Sequence, residues 1–347
     1  MARTTAVAPT ARSASAPAGA SSSPAPAVAS APTAHLPHFP ALDGLRGLAV
    51  AVVLLFHGGF SWMTGGYLGV STFFTLSGFL ITALLLVERR STGSVDLRGF
   101  WTRRFRRLMP AALAALGLAT LFGLTVADAV QRRNLAGDVT ASLVDLANWR
   151  FIFSGQVYAD LFGAPSPVLH FWSLAIEEQF YLLYPLLAWF AFRVLRVSRR
   201  AFAGILATLI AASIAVTLFA GFSSDRIYLG TDTRSAEVLI GALLATLLYQ
   251  RRVTTSLATG PRAPRVVAGL GTAALAICAV LWVTVPQETE WLYRGGLPAY
   301  AVLSALVVLA AITPVGPVRW LLSLGGLRSL GRISYGVYLY HLSLIHI

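Results

Sequence analysis

The chain has 347 residues, 56% of them hydrophobic and only 12% charged, with a formal net charge of +13. Soluble domains carry about 25% charged residues, so this composition excludes an ordinary soluble fold and leaves a polytopic membrane protein in the lipid bilayer. Every basic residue is arginine, and the arginines gather in short stretches between apolar runs. That pattern orients a membrane protein and argues against nucleic-acid binding. Cys278, the only cysteine, lies in an apolar run, which rules out an internal disulfide or a thiolate metal site.

Residues 1–38 are mostly Ala, Ser, Pro and Thr, a composition that buries no core and reads as a disordered tail. No apolar stretch follows Arg3 and Arg12, so the tail is not a signal peptide. His35 and His38 lack a third ligand nearby, and no metal is expected. From residue 39 onward, apolar runs at about 44–62, 66–87, 108–127, 169–192, 201–221, 236–249, 266–285, 297–313 and 331–347 predict an all-α polytopic membrane helix bundle. The arginine-rich stretch 88–107 reads as a loop. The run 138–154 is ambiguous. If it crossed, the Arg193–Arg200 cluster would fall outside the cell, against the rule that arginines stay in the cytoplasm. The expected topology is therefore about nine crossings plus one re-entrant or interfacial helix, with the amino terminus cytoplasmic; the alternative is ten crossings. The sequence stops inside an apolar run at Ile347, so a truncated carboxyl end is expected for the transmembrane domain 39–347.

The first span carries the polar stripe that organises the reading. Asp43, Arg46 and His57 are separated by three and eleven residues, which places all three on one side of a helix. His57 would lie roughly 16 Å deeper than Arg46. Ionisable groups at membrane depth normally mark a functional path. The plainer alternative is a snorkelling Arg46 and a packed His57. In the second span Ser77 precedes Gly78, among glycines that let helices approach; packing and a covalent role both remain open for the serine. Arg103, Arg104, Arg106 and Arg107 suit a grip on phosphates, and equally suit topology.

Glu177 and Glu178 lie in a later span, 100° apart around the helix, so at most one points squarely at a given cavity. Tyr181 is one turn from Glu177 on the same face. Counted from the outer end, Glu177 and His57 reach similar depths, where a carboxylate orienting an imidazole would make a general base. A hydrogen-bond network without chemistry is the alternative. Asp232 and Arg234 stand at the mouth of another span, paired with each other or with a polar acceptor. His341 is a further intramembrane base that could line the cavity, and His170 reads as a helix cap.

Taken together, these motifs resemble the acyltransferase-3 family of integral membrane acyltransferases. The likeness rests on Arg46 and His57 with ten residues between them, the segment 65–81, Arg103-Arg-Phe-Arg-Arg-Leu-Met-Pro110, the segment 172–181, Gly230-Thr-Asp-Thr-Arg234 and Ser334-Tyr-Gly-Val-Tyr-Leu-Tyr-His341. It implies transfer of an acyl group, usually acetyl from acetyl-CoA, to a hydroxyl of a cell-envelope polysaccharide, lipopolysaccharide or peptidoglycan, in a bacterial plasma membrane. By this resemblance Arg46 and His57 form the essential pair, Arg103–Arg107 hold the coenzyme A phosphates, and Glu177 and Tyr181 support the acceptor side. Ser71 departs from the pattern, since many relatives carry an acidic residue there. Similar proteins often continue into an extracytoplasmic esterase-like domain, which this chain does not reach. The readings outside glycan acylation are a secondary transporter using the buried charges and an acyltransferase acting on a small molecule or lipid.

Overall fold

The computed structural model describes residues 37–154, 166–250 and 263–346. Among the described residues there is no strand, and the chain is a bundle of helices. Among the described helices nine are long: α1 (Pro40–His57), α2 (Gly69–Thr92), α3 (Leu97–Thr125), α6 (Phe171–Trp189), α7 (Arg199–Phe219), α9 (Thr231–Gln250), α10 (Ala263–Thr284), α11 (Leu297–Ile312) and α13 (Gly325–His346). Four are shorter: α4 (Ala129–Leu143), α5 (Ala147–Ser154), α8 (Ser224–Leu229) and α12 (Pro317–Leu322). Among the described residues six helices are long and apolar enough to cross a membrane: α1, α2, α3, α7, α10 and α11, with α2 counted from Gly66 and α11 from Leu292. Helices α6, α9 and α13 match them in length but carry the charged residues Glu177, Glu178, Arg234, Glu237, Arg328 and Arg332.

The expected loop at 88–107 is mostly helix. Gly93, with φ +79°, ends α2, and Asp96 then caps α3 by accepting the Gly99 N–H at 3.0 Å. Arginine is a good helix former, so once capped the helix begins at Leu97 and runs through the basic stretch. That moves the arginines from a pliable loop onto a rigid face, with Arg104 and Arg107 one turn apart.

The ambiguous run is not one helix. α4 starts with a capping box between Asp128 and Gln131 and stops at Leu143; the chain turns through Asp145 at φ +57°, and α5 follows with only 8 residues. Neither piece is of spanning length. The Asp145 backbone carbonyl accepts a hydrogen bond from Gln179 Nε2 at 2.7 Å, tying this turn to α6.

Close backbone contacts set the register of the bundle, and α1 packs against α13 as intimately as α2 against α9. A Cβ added at Gly331 would sit 1.7 Å from the Asp43 carbonyl oxygen, and one at Gly78 would sit 1.8 Å from the Val238 carbonyl oxygen. Only glycine fits at either point. Because Arg46 immediately precedes Gly47 and Arg332 immediately follows Gly331, the first contact brings those two arginines to nearly one level.

Burial pushes the Asp145 carboxyl up to about 6. Its native form binds a proton more readily than an unfolded aspartate, whose value is about 4, so ionised Asp145 weakens the fold at neutral pH and the penalty fades as pH falls toward 4. Asp145→Asn, which tolerates the same backbone, should raise the thermal midpoint of the detergent-solubilised protein at pH 7.5 but hardly at pH 4.5. An equal gain at both values would show that ionisation is not the cause.

Candidate functional site

Five helices converge on a cavity of about 710 Å³, counted to its open mouth. Arg46 from α1, Arg104 and Arg107 from α3 and Arg332 from α13 line it, facing Glu177 and Glu178 from α6. Four guanidinium groups against two carboxylates leave a positive excess, which suits an anionic ligand. Arg104 lays its guanidinium plane on the Tyr181 ring, 3.5 Å from the centroid, and its buried Nε has no hydrogen-bond partner among the described residues. The face of that group is spent on an aromatic ring, while the N–H edge remains for a ligand.

Glu177 lies at the level of Arg46. Ser77 Oγ donates to Glu177 Oε1 at 2.7 Å, and the Tyr181 hydroxyl lies 3.1 Å from both Ser77 Oγ and Glu177 Oε2. A proline one turn on helps to fix this arrangement. Pro185 has no N–H to give the Tyr181 carbonyl, as it would in an unbroken helix. The Trp101 indole N–H takes that carbonyl instead, at 3.0 Å, locking α3 to α6 beside the site.

The structure does not bring Glu177 to His57. His57 closes α1 at the opposite end from the arginines, where its ring lies 4.8 Å from that of His341, which is 5.5 Å from His170. Helix rise decides the outcome: eleven residues separate His57 from Arg46, roughly 16 Å, and the carboxylate keeps company with the arginine. His57 Nδ1 meets the Val53 carbonyl at 2.9 Å. A carbonyl only accepts, so Nδ1 carries the proton and Nε2 is the basic nitrogen of the neutral ring. His341 Nδ1 likewise meets the Tyr338 carbonyl.

The other expected residues divide. Arg103 and Arg106 are exposed and turn away from the cavity, because one helix face presents only Arg104 and Arg107. Asp43 pairs with His38 at 2.8 Å near the start of α1 and leaves the stripe. Asp232 and Arg234 do not pair with each other. Asp232 takes a two-pronged bond from Arg226 at 2.9 and 2.8 Å; burial alone would raise its carboxyl, and the Arg226 fork more than offsets this, holding it below the ordinary range. Arg234, only 1% exposed, pairs with Glu237 at 2.6 Å and donates to Ser71 at 3.0 Å, inside a cage that includes Phe74, Trp172 and Tyr228. His341 sits in the histidine group rather than among the residues lining the cavity. His170 makes no side-chain cap; its Nε2 bonds the Leu339 carbonyl at 2.7 Å and ties α6 to α13.

Sequence reasoning missed Arg332, whose signal was its place two residues before Ser334 in a segment already singled out. It also expected at most one of the glutamates at the cavity, whereas both line it; Glu178 stands where a second cavity, of about 620 Å³, shares a wall with the first. The Ser173–Tyr338 pair escaped notice as well. Its hydroxyls, 2.6 Å apart, sit at the edge of the cavity, and the Tyr338 ring lies 5.2 Å from His341. One side chain thus stands between the cavity and the histidines. Among the described residues no group of three potential ligands is placed to hold a metal.

A family model described as an acyltransferase domain, acyltransferase-3, matches residues 39–347. The chain belongs to that family. It is 39% identical over 320 residues to the putative peptidoglycan O-acetyltransferase YrhL of Bacillus subtilis (strain 168), covering 90% of this chain and 49% of the relative. It is 36% identical over 314 residues to the peptidoglycan O-acetyltransferase OatA of Listeria monocytogenes, covering 89% and 49%. A putative O-acetyltransferase of Staphylococcus aureus (strain COL) is 33% identical over 316 residues, covering 89% and 51%. The chain therefore spans about half the length of these relatives. No solved structure matches.

The glycine contact that levels Arg46 with Arg332 is testable. Gly331→Val places atoms against a main chain that has no rotamer to yield, at a cost of about 1–3 kcal/mol. The thermal midpoint should fall. Gly336→Ala on the same helix, where an added Cβ meets nothing within 4 Å, should leave it unchanged or raise it. Equal effects would dismiss the contact as the cause.

Proposed function

We propose that this chain is a membrane O-acyltransferase that takes an acyl group, in the simplest case acetyl, from acyl-CoA and delivers it toward a hydroxyl of a cell-envelope glycan. Peptidoglycan is the favoured acceptor, since two of the relatives carry that substrate in their names. The observation that carries the reading is the cavity holding Arg46, Arg104, Arg107 and Arg332 at one end, with a line of hydroxyls and carboxylate leading from it toward His57. Planar guanidinium groups hold phosphates in forked geometry, so Arg104, Arg107 and Arg332 take the phosphates of coenzyme A. The thioester then reaches inward to Ser77 and Glu177. In this reading the arginine end faces the cytoplasm of a bacterial plasma membrane, where arginine-rich ends belong and acyl-CoA is made. The amino terminus lies on that side too.

At the far end His57 is the general base. With Nδ1–H given to the Val53 carbonyl, Nε2 takes the proton of the acceptor hydroxyl, and His341 holds the ring from one side. A further domain or partner on that face, as the length of the relatives invites, would receive the group.

Two outcomes test this reading. With membranes and labelled acetyl-CoA, His57→Ala should lower label transfer into base-labile envelope glycan by at least about 100-fold, with expression and insertion unchanged. Arg332→Ala should chiefly raise KM for acetyl-CoA, by about tenfold for one lost charge-assisted contact. Full transfer by the histidine variant would remove the mechanism, and label from acetyl-CoA entering no acceptor at all would remove the activity.

A further inference from the structure

The Ser77 hydroxyl is placed as a nucleophile is placed. Its proton points to Glu177 Oε1 at 2.7 Å, and Tyr181 lies 3.1 Å from the oxygen. A serine oxygen has two lone pairs; Tyr181 engages one, and the residue borders the cavity, leaving the other for an electrophile there. The carboxylate is compensated by Arg46 and Arg104, which lie within electrostatic reach of it. This is the arrangement of an activated nucleophile: hydroxyl, adjacent base, and a third group orienting the base.

Distance gives the hydroxyl a task. The arginines that would hold a donor and the histidine that would activate an acceptor are roughly 16 Å apart along α1. The Tyr338–Ser173 pair stands between the cavity and the histidine group. Direct attack by a hydroxyl at His57 on a thioester held beside Arg104 would need one of the two to travel most of that length.

We propose that Ser77 takes the acyl group from the donor as a covalent ester at the arginine end, the first stage of its passage toward His57, an inference that rests on acyl-CoA being the donor. Ser77 Oγ bonds the thioester carbon while its proton passes to Glu177. The carbon–sulfur bond breaks, the sulfur leaves, and the proton moves from Glu177 to it, releasing coenzyme A as the free thiol. Arg46 and Arg104, cations in the same cavity, stabilise the negative oxygen that forms as the carbon becomes tetrahedral. In the second half a hydroxyl that reaches the cavity attacks the ester carbon and gives its proton to Glu177, which returns it to Ser77 Oγ as the ester bond breaks, so the enzyme returns unchanged.

The test uses the full chain purified in detergent, given ¹⁴C-acetyl-CoA without acceptor, quenched in acid and mapped by peptide mass spectrometry. The expected result is one acetyl group on Ser77. Ser77→Ala should lose the label, and in membranes its transfer to glycan should fall at least 100-fold. Ser77→Cys should take up acetyl as a thioester that neutral hydroxylamine releases, whereas the serine ester survives that treatment; this variant keeps the test sharp if alanine disturbs the fold. Acetyl on another residue, no acetyl on Ser77, or transfer by Ser77→Ala within threefold of the parent would overturn the proposal. In that last case the donor reading stands. Acetyl-CoA left intact by the parent membranes, acceptor present, would overturn both.

Discussion

A guanidinium group cannot rest in hydrocarbon; it must find water, a carboxylate or an aromatic face. That requirement fixes where α1, α3, α6 and α13 meet. Each brings at least one charge to the same place: Arg46, Arg104 and Arg107, the two glutamates, and Arg332. None of these helices can turn that face to lipid, so the four close around a shared void. The glycine contact between α1 and α13 then does locally what the charges demand globally, setting Arg46 and Arg332 level. Arg104 shows the economy of the arrangement, because the Tyr181 ring takes its flat face and spares its N–H edge.

From that convergence follows the separation of the charged cavity and the histidine group to two ends. Helix rise is inelastic, so the Arg46–His57 spacing of eleven residues is a fixed length. Glu177 is committed by hydrogen bonds to Ser77 and Tyr181 at the arginine end. The imidazole is oriented not by a carboxylate but by a main-chain carbonyl one turn back, which selects the tautomer without adding charge.

The helical class and the positions of the nine long helices were legible because apolar run length and charge placement in a membrane are nearly one-dimensional signals. Arg46, Arg104, Arg107, Glu177, Tyr181 and Ser77 were all marked by sequence, and the structure brings them together. What misled was depth and direction. Counting inward from assumed helix ends put Glu177 level with His57, though it sits level with Arg46; uncertain helix ends, each residue worth about 1.5 Å, cover part of that gap. Four arginines in five residues looked like one grip, yet a helix starting at Leu97 divides them between two faces. Asp232 and Arg234 looked like a pair because they are near in sequence, but on a helix residues two apart diverge, and each found a partner elsewhere.

The three long helices that hydropathy alone does not identify as spans, α6, α9 and α13, each carry buried or cavity-lining charge. Helix α9 explains why such charge is tolerated. Arg234 is almost fully enclosed, and a bare guanidinium there would be ruinous. Its neutralising charge comes from Glu237, one turn along the same helix, while Ser71 on α2 supplies only a hydroxyl. The acidic residue that the family pattern leads one to expect at 71 is thus not simply missing. With Glu237 holding the charge, a carboxylate at 71 would place two anions around one guanidinium in a sealed pocket. A serine there keeps the hydrogen bond and leaves the net charge at zero, which is the condition a buried ion pair must meet.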